Sequence, residues 1–359
     1  MKSKDLAKLL GVSQATISLV LNGKPGISKP LREKLTNQII ELGYESMLAG
    51  HENTQAETEQ IPAGRKNRGS IIYLSYRSKQ EDWNDIYSFY AGVLEGAQQE
   101  SREIGCNLVI MYRNCESDLT GAIKDTGNVI GLIVVCTAVT DEVLNELNSL
   151  KLPYVFIDTF DPTHPVNAVN VDNLQSFHMS VGYLKAKGHR RIGYVQCEAE
   201  SSSGEDRRVA FRRALKEHHL ADRKENYFNP GFSSSPMDTS GLEEQFRQAE
   251  NLPTALLAEN DQNAMRAVNA LKRIGKRVPE DVSVIGFDDN PLSRICDPPL
   301  TTIRSSRHRI GRECVALIMR LKRLYRTDTT QVPMKISIST ELVERESVRD
   351  LTKSSEEEE

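Results

Sequence analysis

The sequence predicts an α/β core preceded by a small helical unit, and three observations support this. Continuous apolar runs recur between Ile71 and Phe287, amphipathic segments separate them, and three short helical patterns open the chain. Continuous apolar strands alternating with helices are typical of parallel sheets covered on both faces. The seven apolar runs exceed what one sheet needs, so we expect two sheets or lobes. The runs are Ile71–Leu74, Leu108–Met111, Leu132–Cys136, Tyr154–Ile157, Ile192–Val195, Ala255–Leu257 and Val282–Phe287.

The chain begins with three short helices that must share one core, since each is too short to be stable alone. Their apolar stripes are centred on Leu6, Ile17 and Leu35. Ser13 is placed to cap the second helix and Ser28 the third. Residues 1–49 carry seven basic against four acidic side chains, whereas the whole chain has a net charge of −4. This charge asymmetry points to a nucleic-acid partner for the N-terminal unit.

The first two helical patterns, separated by Gly11, predict a helix-turn-helix. Such a pair seats its second helix in the DNA major groove, where Gln14 can pair with adenine and Ala15 can contact a thymine methyl. Hydroxyl and lysine side chains nearby suit phosphates. The alternative is an αα-hairpin without special function. The residues predicted to contact double-stranded DNA are Lys4, Lys8, Ser13, Gln14, Ala15, Thr16, Ser18, Leu19, Asn22 and Lys24.

Composition narrows the class of protein. Hydrophobic residues make up 38% and charged residues 27% of the chain, as in ordinary soluble globular proteins. No apolar stretch approaches the roughly 18 residues that cross a bilayer, and the N-terminus lacks a signal-peptide core. We therefore expect a cytoplasmic protein without membrane contact. The six cysteines form no CxxC pair and the seven histidines show no ligand spacing, so we expect no metal and no cofactor.

The pattern Ala7–Asn22 resembles the DNA-binding headpiece of the LacI/GalR family of bacterial transcription regulators. The resemblance continues through Ser28–Tyr44 and over most of the remaining chain. The further family-like stretches are Val171–Asn173, Gly188–Val195, Ala258–Ala264, Val278–Asp289 and Pro299–Arg304.

The resemblance implies a periplasmic-binding-protein-like core with a ligand between two lobes, and a homodimer on a pseudo-palindromic operator. It places chain crossings between the lobes near Asp158–Pro165, Ser305 and Val332–Pro333. We expect a headpiece at 1–49, a linker at 50–68, a core at 69–348 and an acidic tail at 349–359. Within the core, the first lobe spans about 69–160 and 306–331, and the second about 165–304 and 333–348.

Candidate ligand-binding residues follow predicted strands, where open α/β sheets bind ligands. Asp288 matches the effector-binding acid of the family, and Arg207 occupies its arginine position, although Ala210 replaces the usual glycine there. A carboxylate and an arginine suit a hydroxyl-rich ligand. The full set of predicted effector-binding residues is Trp83, Phe89, Asp158, Asp172, Arg207, Asn260 and Asp288.

Several of these residues also have a simpler interpretation. Asp172 and Asp261 precede helices and would cap them whether or not a ligand binds. A single tryptophan such as Trp83 is more often a packing or surface residue than a sugar platform.

The sequence departs from the family where a DNA-inserting hinge helix is expected. Residues 45–52 contain no Pro-Asn pair and no arginine, Gly50 weakens a helix, and the acidic residues repel phosphate. Leu48 is the one candidate for a minor-groove wedge. Hinge-helix binding, and the usual coupling of lobe closure to DNA release, are therefore open.

The leading hypothesis is a ligand-gated transcription regulator, with repression as the expected sign and a modest preference for a sugar or sugar derivative. A nucleobase or a phosphoprotein partner remains open. A solute-binding or sensor protein would share the core fold without regulating genes. An enzyme is disfavoured because no P-loop, GxSxG elbow, HExxH or Rossmann pattern is present, and Ser201–Ser203 is more simply a loop.

Overall fold

The computed structural model describes residues 7, 12–21, 26–28, 31–32, 35–36, 68–76, 87–113, 119–136, 138–196, 201–231, 238–324 and 332–353. The chain divides into two compact units, Met1–Lys66 and Asn67–Glu359. Arg68 therefore belongs to the second unit, and its backbone N–H donates to the Gly105 carbonyl (3.0 Å). Residues 50–66 of the expected linker lie outside the described residues.

In the first unit, helix α1 spans Gln14–Leu21. The Ser13 hydroxyl accepts a hydrogen bond from the Thr16 backbone N–H (3.1 Å), as an N-cap should. The inward face of α1 packs on residues from outside the helix. This small core contains Ala7, Ile17, Val20, Leu21 and Leu35.

The second unit contains two six-stranded sheets and the helices that cover them. The remaining helices are α2 Tyr87–Glu103, α3 Leu119–Thr126, α4 Asp141–Ser149, α5 Asn173–Ala186, α6 Ser202–Glu217, α7 Ser240–Gln248, α8 Asp261–Arg273 and α9 Arg307–Leu324. The strands are β1 Ser70–Tyr76, β2 Asn107–Arg113, β3 Val129–Val135, β4 Tyr154–Ile157, β5 Ala168–Val171, β6 Ile192–Val195, β7 Tyr227–Phe228, β8 Ala255–Ala258, β9 Ser283–Phe287, β10 Thr301–Arg304, β11 Lys335–Ile338 and β12 Glu341–Val343.

The two sheets define two lobes. The first has the order β11-β5-β4-β3-β1-β2 with every pair parallel. The second has the order β12-β10-β9-β8-β6-β7, parallel except for the β10–β12 pair. The α/β class with two parallel sheets is therefore confirmed, and all seven apolar runs are strands.

The chain crosses between the lobes later than the sequence predicted at two of the three points. Both β5 and β11 belong to the first sheet, so the crossings follow Val171 and Ile338, and the boundaries predicted near Asp158–Pro165 and Val332–Pro333 are wrong. These short strands pair with each other although the second lobe separates them in sequence, and no local pattern reveals such a pairing. The remaining crossing lies between the end of β10 and the start of α9.

The start of the expected acidic tail instead packs on the second lobe. The backbone N–H of Arg349 donates to Ser283 Oγ (2.9 Å), and that of Leu351 donates to the Lys187 carbonyl (2.9 Å). Residues 349–353 therefore extend the core, and 354–359 lie outside the described residues.

Helix α9 returns to the first lobe and packs closely on α2. A Cβ atom at Gly96 would overlap the His308 carbonyl, and one at Gly311 would overlap the Val93 carbonyl. Glycine at both positions therefore permits backbone-to-backbone contact between the two helices.

Candidate functional site

Two carboxyl side chains, one from each lobe, lie beside Arg207. Asp158 follows β4 of the first lobe, Asp288 follows β9 of the second, and Arg207 lies on α6. Arg207 Nη2 is 3.8 Å from Asp158 Oδ2 and 3.8 Å from Asp288 Oδ1. The side chains of Asp158 and Arg207 are less than one-tenth exposed. We call Asp158, Arg207 and Asp288 the inter-lobe cluster.

Arg207 is held by two further contacts. Its Nη1 donates to the Glu259 carbonyl (2.7 Å), and its guanidinium carbon lies 4.1 Å from the centre of the Phe287 ring. A carbonyl acceptor and an aromatic face both suit a planar cation. Sequence reasoning missed these partners because a backbone carbonyl has no sequence signature and the Phe287 pattern indicated only a buried strand residue.

The inter-lobe cluster leaves two polar atoms unsatisfied. Among the residues that the structure describes, Asp158 Oδ1 and Arg207 Nε are buried and have no hydrogen-bond partner. Buried polar atoms are nearly always paired in native proteins, so such atoms need an explanation. One acceptor and one donor are thus available to a bound polar molecule.

Burial and charge act against each other in the cluster. Burial raises the pKa of Asp158 and Asp288, while Arg207 partly offsets this for both. Burial also lowers the pKa of Arg207, but Asp288 and Asp158 hold it above its ordinary value. Arg207 is therefore cationic and lies beside both carboxyl groups, while Arg307 also lowers the pKa of Asp288.

A network of arginines fixes the loop that presents Asp288. The carboxylate of the adjacent Asp289 accepts from Arg304 Nε (2.8 Å), Arg294 Nη2 (3.3 Å) and Arg345 Nη2. Burial opposes ionisation of Asp289, yet hydrogen bonds from Arg345 and Arg304 bring its pKa to about 2. Asp288 and Asp289 have φ values of 104° and 49°, so the network holds a left-handed turn that aims Asp288 at Arg207.

Two predicted ligand residues are helix caps. Asn260 Oδ1 accepts from the Asn263 backbone N–H (2.8 Å) at the start of α8. Asp172 Oδ1 accepts from the Gln175 backbone N–H (3.0 Å) at the start of α5. The cap of α8 is therefore Asn260, and the expectation that Asp261 caps it is wrong. Asp261 instead accepts from Thr302 Oγ1 (2.5 Å) and the Asn290 backbone N–H (2.5 Å).

Of the two aromatic residues predicted to bind the effector, Phe89 and Trp83, the structure describes only Phe89. Phe89 is buried in the hydrophobic core, with its ring edge-on to Tyr90 at 5.1 Å. Tyr90, the next residue on α2, is the one influenced by the cluster: burial and the nearby Asp158 carboxylate hold its pKa well above the ordinary value. Trp83 lies outside the described residues.

Ser201–Ser203 begins helix α6 and is not the loop that the sequence suggested. Ser201 Oγ accepts from the Gly204 backbone N–H (3.0 Å), which caps the helix. Ser202 Oγ accepts from the backbone N–H of Phe160 (3.4 Å). The start of α6 therefore also connects the segment after β4 to the second lobe.

Helix α1 exposes the side chains expected to read DNA. Ser13, Gln14, Ala15 and Ser18 are exposed, while Thr16 and Leu19 are half-buried. The Thr16 hydroxyl hydrogen-bonds Ser13 Oγ (2.8 Å). Of the other predicted DNA contacts, Lys4, Lys8, Asn22 and Lys24 lie outside the described residues.

Two family models match the chain. Residues 3–46 match the model of the lacI family of bacterial regulatory proteins, and residues 181–348 match a periplasmic binding protein-like domain. The chain is 28% identical over 359 residues to the HTH-type transcriptional repressor PurR of Haemophilus influenzae (strain PittEE), covering 97% of this chain and 98% of that protein. The chain belongs to the lacI family.

Solved structures share the fold. The transcriptional regulator CelR in complex with cellobiose has a TM-score of 0.65, 24% identity and coverage of 97% and 99% of the two chains. The lac repressor dimer bound to operator and the anti-inducer ONPF has a TM-score of 0.64, 23% identity and the same coverage. This lacI-family chain is a DNA-binding transcription regulator with a periplasmic-binding-protein-like core, as the sequence indicated, and not an enzyme.

The described part of this lacI-family chain lacks two kinds of feature. No helix there is long and apolar enough to cross a membrane. No group of three or more His, Cys, Asp and Glu side chains there is arranged to hold a metal ion.

Proposed function

We propose that this chain is a transcription repressor controlled by an uncharged, hydroxyl-rich small molecule that binds at the inter-lobe cluster. The observation that carries the proposal is the meeting of Asp158, Arg207 and Asp288 from two lobes, with Asp158 Oδ1 and Arg207 Nε buried and unpaired among the described residues. The repressor names of its relatives support the sign of regulation.

The charge of the cluster favours a neutral sugar over a phosphorylated ligand. Two carboxyl groups lie beside the Arg207 guanidinium, with Arg307 acting only on Asp288, so an added phosphate would meet both carboxyl groups. Sugar hydroxyls can donate to the carboxylates and accept from Arg207 at the same time. The similarity of the fold to that of the cellobiose-bound regulator CelR supports a carbohydrate as the ligand. A nucleobase is the alternative to be tested.

Ligand binding would act through lobe closure. Asp158 belongs to the first lobe and the other two cluster residues to the second, so a ligand that contacts both sides has different affinities for open and closed arrangements. That difference sets the upper limit of the effect on DNA binding.

DNA recognition would use helix α1 in a homodimer on a pseudo-palindromic operator. Exposed Gln14 and Ala15 would reach base edges, with hydroxyl groups on phosphates. Large apolar side chains stay exposed on the edge strand β2 and after β9, which supports a second copy of the chain as partner. These are Ile110, Tyr112, Leu292 and Ile295.

The test is a thermal-unfolding screen of the full chain against neutral sugars, sugar phosphates and nucleobases. A ligand at 100 times its Kd adds about 2.7 kcal/mol of stability. We expect a neutral sugar to raise the Tm of the wild type, and Asp288→Asn and Arg207→Ala to abolish the shift. Asp288→Asn keeps the side-chain size, so its result remains interpretable if Arg207→Ala unfolds.

The matched control is Arg208→Ala, because Arg208 is the next residue on α6 but is exposed and pairs with Glu205. It should keep the ligand response. A response restricted to sugar phosphates or nucleobases would contradict the ligand class, and an unchanged response in Asp288→Asn would contradict the site.

A further inference from the structure

The amino edge of the first lobe carries basic side chains that lack acidic partners. In a parallel α/β lobe the strands begin at the edge where the covering helices end. Arg68 stands before β1, Arg102 lies in the last turn of α2, and α9 ends with three cations. We call this set the basic edge: Arg68, Arg102, Arg320, Lys322 and Arg323.

The elements that carry these side chains end at the same edge of the first lobe. Lys322 and Arg68 both lower the pKa of the Cys106 thiol electrostatically, although burial raises it overall. Backbone contacts place Arg68 and Arg102 together, since the Gly105 carbonyl accepts from the Arg68 N–H (3.0 Å) and the Gly105 N–H donates to the Arg102 carbonyl (3.1 Å). Arg320 and Arg323 flank Lys322 on the same helix, and Arg102 ends the helix against which α9 packs.

Cations near helix ends have a general explanation, since the helix dipole favours them there. The second lobe provides the comparison, because its helices also end in basic residues. There Lys272 pairs with Asp297 (2.6 Å), while Arg247 and Arg273 both pair with Glu243 (3.2 Å each). In the described part of the chain, no side chain of the basic edge takes part in an ion pair or hydrogen bond. The dipole accounts for the positions of the cations, and the lack of acidic partners distinguishes the basic edge from Lys272, Arg247 and Arg273.

The basic edge is also where the chain arrives from the N-terminal unit. Arg68 and Gly69 lead directly into β1, so residues 1–66 are attached at this edge. A duplex held by the helix of the first unit is therefore joined to the core through the segment of chain that enters β1. The acidic residues within 45–52 make that segment a poor partner for phosphates.

We propose that the basic edge contacts the phosphate backbone of the duplex flanking the site read by α1. This inference rests on the proposed DNA-binding function and adds a contact from the core itself. Each phosphate neutralised releases counterions, so the basic edge contributes affinity and salt dependence but no base preference.

The test is the triple variant Arg320→Gln/Lys322→Gln/Arg323→Gln in the full chain. The probe is a duplex selected by the wild type from a random-sequence library, prepared with and without flanking base pairs. We expect the slope of log K against log salt concentration to become less steep by about 0.9 for each phosphate that the variant no longer neutralises. Wild type should bind the flanked duplex more tightly than the unflanked one, and this difference should be smaller in the variant, which retains only Arg68 and Arg102 of the basic edge.

The matched control is Lys216→Gln/Lys224→Gln/Lys276→Gln, which removes the same charge from exposed lysines of the second lobe. The control should keep the wild-type slope and flank dependence. A wild-type slope in the basic-edge variant, or an equal reduction of the slope in the control, would overturn the proposal. The preference for the selected duplex over a scrambled one tests DNA reading separately, since it should survive in both variants.

Discussion

Neighbouring aspartates at the end of the second lobe's sheet differ in charge because their surroundings differ. The Asp289 carboxylate accepts hydrogen bonds from three arginines, which bring its pKa to about 2. Asp261 is equally buried but has no arginine partner among the described residues, so burial raises its pKa to about 8 despite a hydrogen bond from Thr302. At neutral pH Asp289 is therefore ionised and Asp261 is protonated, within one loop system.

Replacing Asp261 with Asn should flatten the pH dependence of stability. The folded pKa of Asp261 is raised, so the folded state retains a proton that the unfolded chain loses above about pH 4. Stability contributed by this group is therefore present at low pH and declines as the pH rises from about 4 to about 8. Asp261→Asn should reduce the slope by up to about 1.4 kcal/mol per pH unit in that window.

Urea unfolding at several pH values measures this slope. The variant Asp297→Asn is the control, because Asp297 is an exposed carboxylate paired with Lys272. An unchanged slope in Asp261→Asn would show that Asp261 is ionised in the folded protein.

Asp158 and Asp288 follow strands that the sequence makes recognisable, and Arg207 and Asp288 match positions of the family that the sequence resembles, which is why these three residues could be named in advance. Their mutual distances could not, because they depend on how two separate sheets meet. For Asn260 and Asp172 the position was predictable but the role was not. The same position before a helix serves capping and ligand binding, and sequence alone does not separate the two.

Among the elements, the contact between α2 and α9 is the most sensitive to side-chain size. Gly96→Ala should destabilise the chain by about 1–3 kcal/mol, because its Cβ overlaps a backbone carbonyl that cannot move independently. In Gly92→Ala, one turn earlier on α2, the new Cβ would have the Arg307 Cβ as its nearest neighbour, at 3.1 Å, so a shift of a few tenths of an ångström would accommodate it. This substitution should be neutral or slightly stabilising, since alanine favours helix. Denaturant unfolding of the pair measures the difference, and equal stabilities would contradict the close backbone packing.

The proposed role of the N-terminal unit predicts two distinct effects of substitutions on DNA binding. Gln14→Ala should reduce discrimination at one base pair by about 1–3 kcal/mol while leaving binding to other sequences largely intact. Lys8→Ala should weaken binding evenly across sequences, as removal of a phosphate partner does. Affinity measured over a set of single-base operator variants distinguishes them. An even reduction for both substitutions would refute the base-reading assignment of Gln14.

Long apolar strands were predictable from sequence, whereas the edge and linking strands were not. Lys335–Ile338 and Glu341–Val343 are short and partly polar, so they carry no strand pattern. Strand β7 has only two residues. Because β5 and β11 went unrecognised, the predicted lobe boundaries came too early, although the number of lobes was predicted correctly.

At the scale of the whole molecule, the proposed homodimer should depend on its exposed apolar residues. Ile295 is 76% exposed, and a charge there would remain buried and unpaired in an interface. Ile295→Glu should dissociate the dimer in sedimentation experiments and reduce operator affinity at low protein concentration. Val332→Glu is the control, because Val332 is 85% exposed on a different segment and should leave the dimer intact. A dimer that persists in Ile295→Glu would contradict this interface.

The return of α9 and β11 to the first lobe has a consequence for biosynthesis. A ribosome must complete roughly 200 residues after α2 before α9 emerges, which at 5–20 residues per second takes about 10–40 s. During that interval, the apolar face of α2 that α9 later covers is exposed on the nascent chain, while most of the second lobe can already fold. The first lobe therefore waits for α9 and β11 although its other elements are synthesised early, and the unfinished chain displays an apolar surface of the kind that holdase chaperones bind.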